Sequence, residues 1–149
     1  MIRIGMVGCG HIGAAHALAI SCLGEAGLVD ATLVATHDLD PQRARRFADR
    51  YGAQPYDDVG ALADAVDVVW VCTWTSGHRA AVEAAVERGR AVFCEKPLGT
   101  DLGDAEAVAA RLGQVPHQVG LVLRAAPVFV ELRRRLTAGE HGQIGRAHV

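Results

Sequence analysis

Residues 7–13 read Val7-Gly8-Cys9-Gly10-His11-Ile12-Gly13. This Gly-x-Gly-x-x-Gly run follows a short apolar segment, Ile2–Val7, and leads into an alanine-rich one, Ala14–Ile20. Strand, glycine turn and helix in that order are the context in which the spacing means dinucleotide binding. Gly8 suits a tight turn at positive φ, and Gly10, lacking Cβ, lets backbone approach a pyrophosphate. Gly13 lets the helix pack close to the strand. Free N–H groups of the turn, those of His11 and Ile12 included, would then hold phosphates with the positive end of the helix dipole. The plainer reading is an ordinary strand-to-helix turn in a chain with 17 glycines; the fit of both flanks speaks against it.

The chain has 149 residues, half of them apolar, which sets one domain with a real core as the starting expectation. Lys+Arg total 15 against 17 Asp+Glu, so no basic stripe recommends nucleic acid or an anionic membrane as partner. No window approaches the roughly 18 uncharged apolar residues of a membrane-spanning helix. The start does not read as a signal peptide, because Gly5 breaks its apolar run. Cys9, Cys22, Cys72 and Cys94 form no Cys-x-x-Cys pair and no cluster with metal spacing. They read as small buried thiols of a cytoplasmic protein. Lys96 is the only lysine; the rest of the 15 Lys+Arg side chains are arginine. Arginine keeps its proton, whereas lysine can act in chemistry, so a lysine retained here points to a task.

Taken in order, the chain alternates strand and helix. The first strand, Ile2–Val7, precedes a helix over 12–23, and Ala31–Thr36 is an apolar second strand ending at His37-Asp38. Asp38 stands 25 positions past Gly13, where the fingerprint wants an acid for the adenosine ribose. Asp40 competes, but Pro41 follows it, so Asp40 reads as the N-cap of a helix over Pro41–Tyr51 that closes at Gly52. A carboxylate at 38 repels a 2′-phosphate and favours NAD; Arg43 keeps NADP open. Residues 53–56 form a short third strand, and Asp57 or Asp58 caps a helix through Ala65. Val66–Cys72 is a central strand delivering the polar loop Thr73–Gly77. A helix over His78–Arg88 and a strand over Ala91–Cys94 follow, the strand ending in Glu95-Lys96-Pro97. Thr100 or Asp101 caps a helix through Leu112, Val119–Leu123 is a sixth strand, and Pro127–Leu136 is a last helix. The alternation predicts an α/β doubly wound parallel sheet of the Rossmann type.

Glu95-Lys96-Pro97-Leu98 at a strand end, after this first turn and with His16 and Asp38-Leu39-Asp40-Pro41, resembles the Gfo/Idh/MocA oxidoreductases, the glucose–fructose oxidoreductase and inositol dehydrogenase family. Thr73 and His78 match that family's loop, with Trp74 in place of its usual proline, and Arg124 to Pro127 matches its entry into the last shared helix. The resemblance implies that Lys96 is the catalytic lysine, reaching both the nicotinamide ribose and the reacting hydroxyl. It implies that Glu95 fixes the cofactor side of the pocket and that Thr73 and His78 lie along the cofactor. Plainer roles stand beside these: a solvated Glu95–Lys96 pair, His78 opening a helix, His16 as a packed, hydrogen-bonded side chain, Trp70 and Trp74 as packing, and Arg124 on the surface.

The resemblance further implies a dinucleotide-binding domain over 1–123, then a connecting helix and the start of a C-terminal α+β domain, largely missing, over 124–149. The parent would move a hydride between NAD(P) and a sugar or cyclitol hydroxyl and would form a homo-oligomer. Its proton-transfer pair would lie in the missing domain, with His141 and His148 too near the end to be assigned. The tail Ile144–Val149 fits the family's exit and also reads in frame from a common sequencing adapter, which makes a truncated gene product an expectation. The rival expectation is a non-catalytic NAD(P)-binding module.

Overall fold

The computed structural model describes residues 1–142. The expectations placed on Ile144–Val149 lie outside the described residues. Six strands alternate with helices: β1 (Ile2–Val7), α1 (His11–Glu25), β2 (Ala31–His37), α2 (Pro41–Tyr51), β3 (Gln54–Pro55), α3 (Val59–Asp64), β4 (Val68–Val71), α4 (Thr75–Val86), β5 (Ala91–Cys94), α5 (Leu102–Leu112) and β6 (His117–Val119). A 3-10 turn (Val122–Ala125) and α6 (Pro127–Thr137) follow. All pairings are parallel, in the order β3-β2-β1-β4-β5-β6. This is the doubly wound sheet the alternation predicts, with its topological switch between β1 and β4.

Strand alternation divides the core into two layers. Ile4, Met6, Leu33 and Cys72 meet α1 and α2 through Ala17, Ile20 and Phe47. Val7, Val69, Val71, Val92 and Cys94 meet α3, α4 and α5 through Leu62, Ala81, Val82, Ala85, Val108 and Leu112. Gly5 allows a close approach of α3 to the sheet, since a Cβ there would run into the Leu62 side chain. Aspartates cap three helices: Asp40 accepts from the Gln42 and Arg43 amides, Asp58 from Ala61, and Asp101 from Asp104. Gly52 closes α2 at φ +66°. At the other end of the sheet, the Arg3 guanidinium pairs with Asp67 at 2.8 Å and holds that carboxyl down at about 2.

Three sequence expectations shift. The sixth strand is His117–Val119 rather than Val119–Leu123. Gly120 gives the last bond of this edge, to the Cys94 carbonyl, and Leu121 then turns back onto the Val119 carbonyl. A strand paired on one side only tolerates His117 and Gln118, so its polarity hid it. Helix α4 starts at Thr75, three residues before His78, because Trp74 is still extended and the Gly77 amide already bonds its carbonyl. Trp74 itself is 85% exposed, so the packing role expected of it falls to Trp70, which stacks on Phe93.

In α6 no residue is buried, and Val128, Phe129, Val130, Leu132 and Leu136 are all exposed. Its Arg134 and Arg135 pair with Glu131 and Glu140 within the same segment. Among the described residues, no helix is long and apolar enough to cross a membrane.

Leu62 is the hub between α3 and the sheet and has no exposed surface. Leu62→Ala is expected to lower unfolding stability by about 3 kcal/mol, read as a lower urea midpoint at unchanged slope.

Candidate functional site

The strand register brings the predicted residues together. Val7 is level with His37 on one side and with Val71 on the other, and Val71 is level with Cys94. Gly8, Asp38, Thr73 and Glu95-Lys96 therefore leave the sheet along one edge, at the carboxyl ends of four neighbouring strands. In open parallel sheets that edge is where ligands bind.

The glycine turn is built as its sequence implies. Gly8 has φ +97°, and a Cβ on it would lie 2.6 Å from the backbone of Cys72 and Thr73. A Cβ on Gly13 would strike the Gly8 carbonyl oxygen. Gly10 is different. It is extended, at φ −82°, and a Cβ there would meet no protein atom within 4 Å. Packing does not require glycine at that position, whereas a closely held phosphate would. Gly10 is the N-cap of α1, which has no side-chain cap and no acid in its first turn. The first amides of a helix have no intrahelical partner. Those of His11, Ile12 and Gly13, with the dipole behind them, suit an anion.

Asp38 follows the carboxyl end of β2. Its carboxyl is largely buried; Oδ2 accepts from the Cys9 amide at 2.8 Å and Oδ1 from the Asp40 amide at 2.9 Å. The acid thus ties the end of β2 to the glycine turn and keeps lone pairs for hydroxyl donors. Arg43 lies 3.5 Å from Asp38 and 3.9 Å from Asp40. Arg43 is thus paired with both acids.

The far side is built from two loops. Thr73 is half-buried, and its hydroxyl donates to the Trp74 carbonyl at 3.0 Å. His78 is 1% exposed. Its Nδ1 lies 2.9 Å from the Pro97 carbonyl and its Nε2 3.2 Å from the Thr73 carbonyl. The ring braces the Thr73 loop against the Lys96 loop and presents no surface to a ligand. His78, expected along the cofactor, is placed between these two loops with its ring buried. Lys96 is exposed, and its peptide to Pro97 is cis. Glu95 is buried beneath it, with Oε1 2.8 Å from His16 Nε2 and Oε2 accepting from the Lys96 amide at 3.0 Å. The His16–Glu95 pair spans 79 positions, and nothing in the sequence marks it beyond the residue types.

Arg124 lies in the 3-10 turn that follows β6 and lines a shallow groove with Phe129 and Arg133. Among the described residues, no group of three His, Cys, Asp or Glu is arranged to hold a metal ion. Cys9, Cys72 and Cys94 are buried, and Cys22 is exposed, against the expectation for all four. Burial pushes the three inner thiols up to about 12, with Asp38 adding to Cys9 and Glu95 to Cys72 and Cys94. At pH 8 they are neutral and enclosed. A thiol-reactive chromophore is expected to titrate one cysteine, Cys22, in the native chain and four after denaturation.

Comparison with known proteins agrees with this fold. The sequence model of the oxidoreductase family with an NAD-binding Rossmann fold, Gfo/Idh/MocA, matches residues 2–121. An inositol 2-dehydrogenase of Rhizobium meliloti (strain 1021) is 38% identical over 150 residues, covering 96% of this chain and 43% of that protein. The crystal structure of a putative myo-inositol dehydrogenase from Sinorhizobium meliloti 1021 superposes with a TM-score of 0.79 at 33% identity, over 95% of this chain and 43% of that one. The myo-inositol dehydrogenase of Lactobacillus casei, solved in complex with NAD(H) and myo-inositol, gives 0.82 at 26% identity, over 93% and 42%. The chain spans less than half the length of these relatives. It belongs to the Gfo/Idh/MocA oxidoreductase family and carries that family's NAD-binding Rossmann domain.

Proposed function

We propose that the chain holds NAD across the β1–β4 switch, with the pyrophosphate on Gly8–Gly13 and the adenosine ribose on Asp38. Thr73 flanks the middle of the dinucleotide, and Glu95 and Lys96 hold its nicotinamide end. The observation that carries this reading is the common register of β2, β1, β4 and β5. It puts an acid, an uncapped helix start and a lysine on one edge in the order the two halves of a dinucleotide require. NAD, when bound, supplies the hydride acceptor or donor. The chain's own contribution is orientation and charge. Backbone amides of the turn meet the phosphates, the Asp38 carboxyl accepts ribose hydroxyls, and the Lys96 ammonium faces the oxygen of a reacting alcohol and stabilises its developing charge.

The substrate class we propose is a cyclitol or related polyol, supported by the inositol dehydrogenases among the relatives. The parent enzyme as a homo-oligomer belongs to the same proposal. NADP is the weaker cofactor reading, since Asp38 and Asp40 both stand against the ribose position and hold Arg43. One observation favours a non-catalytic NAD-binding module for the chain alone. Lys96 is exposed, whereas hydride transfer needs water excluded from the reacting centre.

NADH fluorescence titration separates these roles. Asp38→Ala is expected to weaken NADH by about tenfold or more, the worth of hydrogen bonds to a charged group. NADPH is expected to bind the wild-type chain at least about tenfold more weakly than NADH, because like charges meet. Gly10→Ala is expected to leave the melting temperature unchanged and yet reduce NADH binding, since its Cβ meets no protein atom. Gly13→Ala is expected to lose both stability and binding. Equal NADH affinity in wild type and Gly10→Ala would contradict a phosphate at this turn.

A further inference from the structure

The corner beneath Lys96 is more elaborate than cofactor binding requires. His16 comes from the second turn of α1, and its ring packs against two aromatic groups. It stands edge-on to Phe93, with centroids 5.1 Å apart, and is tilted against Trp70 at 5.7 Å. Trp70 and Phe93 stack on each other at 4.2 Å, so the imidazole is fixed by packing before it meets a polar partner. Its Nε2 then lies 2.8 Å from Glu95 Oε1.

Glu95 is 6% exposed. A buried carboxyl needs its oxygens satisfied, and it has two partners on different elements. Oε1 meets His16, and Oε2 accepts the backbone N–H of Lys96 at 3.0 Å. The third side is closed by backbone: a Cβ on Gly120 would come within 2.9 to 3.0 Å of the carboxyl carbon and both oxygens. The Cys94 thiol donates to the Glu95 backbone carbonyl at 3.5 Å rather than to the carboxyl, and His16 is the side chain that meets the carboxyl.

We propose that His16 is a positioning residue. By holding Glu95 it fixes the Lys96 amide, and with it the direction in which the chain's only lysine leaves the sheet edge. What Lys96 is aimed at rests on the functional reading above; the coupling of His16 to the Lys96 amide does not.

The single lysine makes the test direct. The full chain labelled with 15N-lysine has one lysine amide resonance, that of Lys96. In His16→Ala this resonance is expected to move, and its hydrogen exchange to rise about tenfold, the loss of an ordered bond to a charged acceptor. Valine amides of β1 and β4, labelled separately, are expected to keep wild-type exchange, which a general loosening of the fold would not allow. His16→Gln is expected to restore the resonance and its protection, because its amide can donate to the same oxygen. Should His16→Ala fail to fold, His16→Asn takes its place, its shorter amide falling short of Glu95. A Lys96 amide that stays at its wild-type position in the shortened variant, or is not restored by His16→Gln, overturns the proposal. A wild-type chain that does not bind NADH would overturn the functional reading instead and leave the amide result standing.

Discussion

The exit of β4 passes so close to the exit of β1 that Gly8 can carry no side chain and must adopt φ +97°. Everything at the site follows from that approach. It opens the switch point, sends α1 away on one face and α4 on the other, and leaves the first amides of α1 at the sheet edge. The bonds around it are short and local: Gly8 N–H to the His37 carbonyl and Cys72 N–H to the Val7 carbonyl. Because β2 and β5 are in register with the same pair, their terminal acids arrive at the same level. The site is thus a consequence of parallel pairing, assembled from the connections that follow four neighbouring strands.

The two acids at this edge are built differently. Asp38 is tied to amides of the glycine turn and its own loop, with Arg43 beside it, and it retains acceptor capacity. Glu95 is enclosed by His16, Gly120 and the Lys96 amide, and both of its oxygens are engaged within the chain. His78 plays the corresponding part for the neighbouring loop, linking the carbonyls of Thr73 and Pro97. His16 and His78 are therefore inward braces, and Lys96 is the exposed group beside them.

Local chemistry made most of this legible in the sequence. Glycine spacing, apolar strands and a proline after Asp40 are local signals, and the Asp40 cap leaving Asp38 for the site follows from them. The sixth strand was not legible, because an edge strand with one partner carries no strong apolar pattern and the apolar run beyond it belongs to a turn. The start of α4 was hidden by Trp74, Thr75 and Ser76, which resemble loop residues. His16–Glu95 was beyond reach for a different reason. Its geometry depends on how α1 lies over Trp70 and Phe93, a tertiary fact that no spacing encodes.

The central claim is that one sheet edge holds one extended ligand from Asp38 to Lys96. Titrating 15N-labelled chain with NAD and mapping backbone amide shifts addresses it directly. The account predicts a continuous band of perturbed amides through residues 8–13, 38–40, 73–75 and 95–97, with α6 and the Arg3–Asp67 end of the sheet unmoved. Shifts centred on the Arg124–Arg133 groove, or no shifts at saturating NAD, would contradict it.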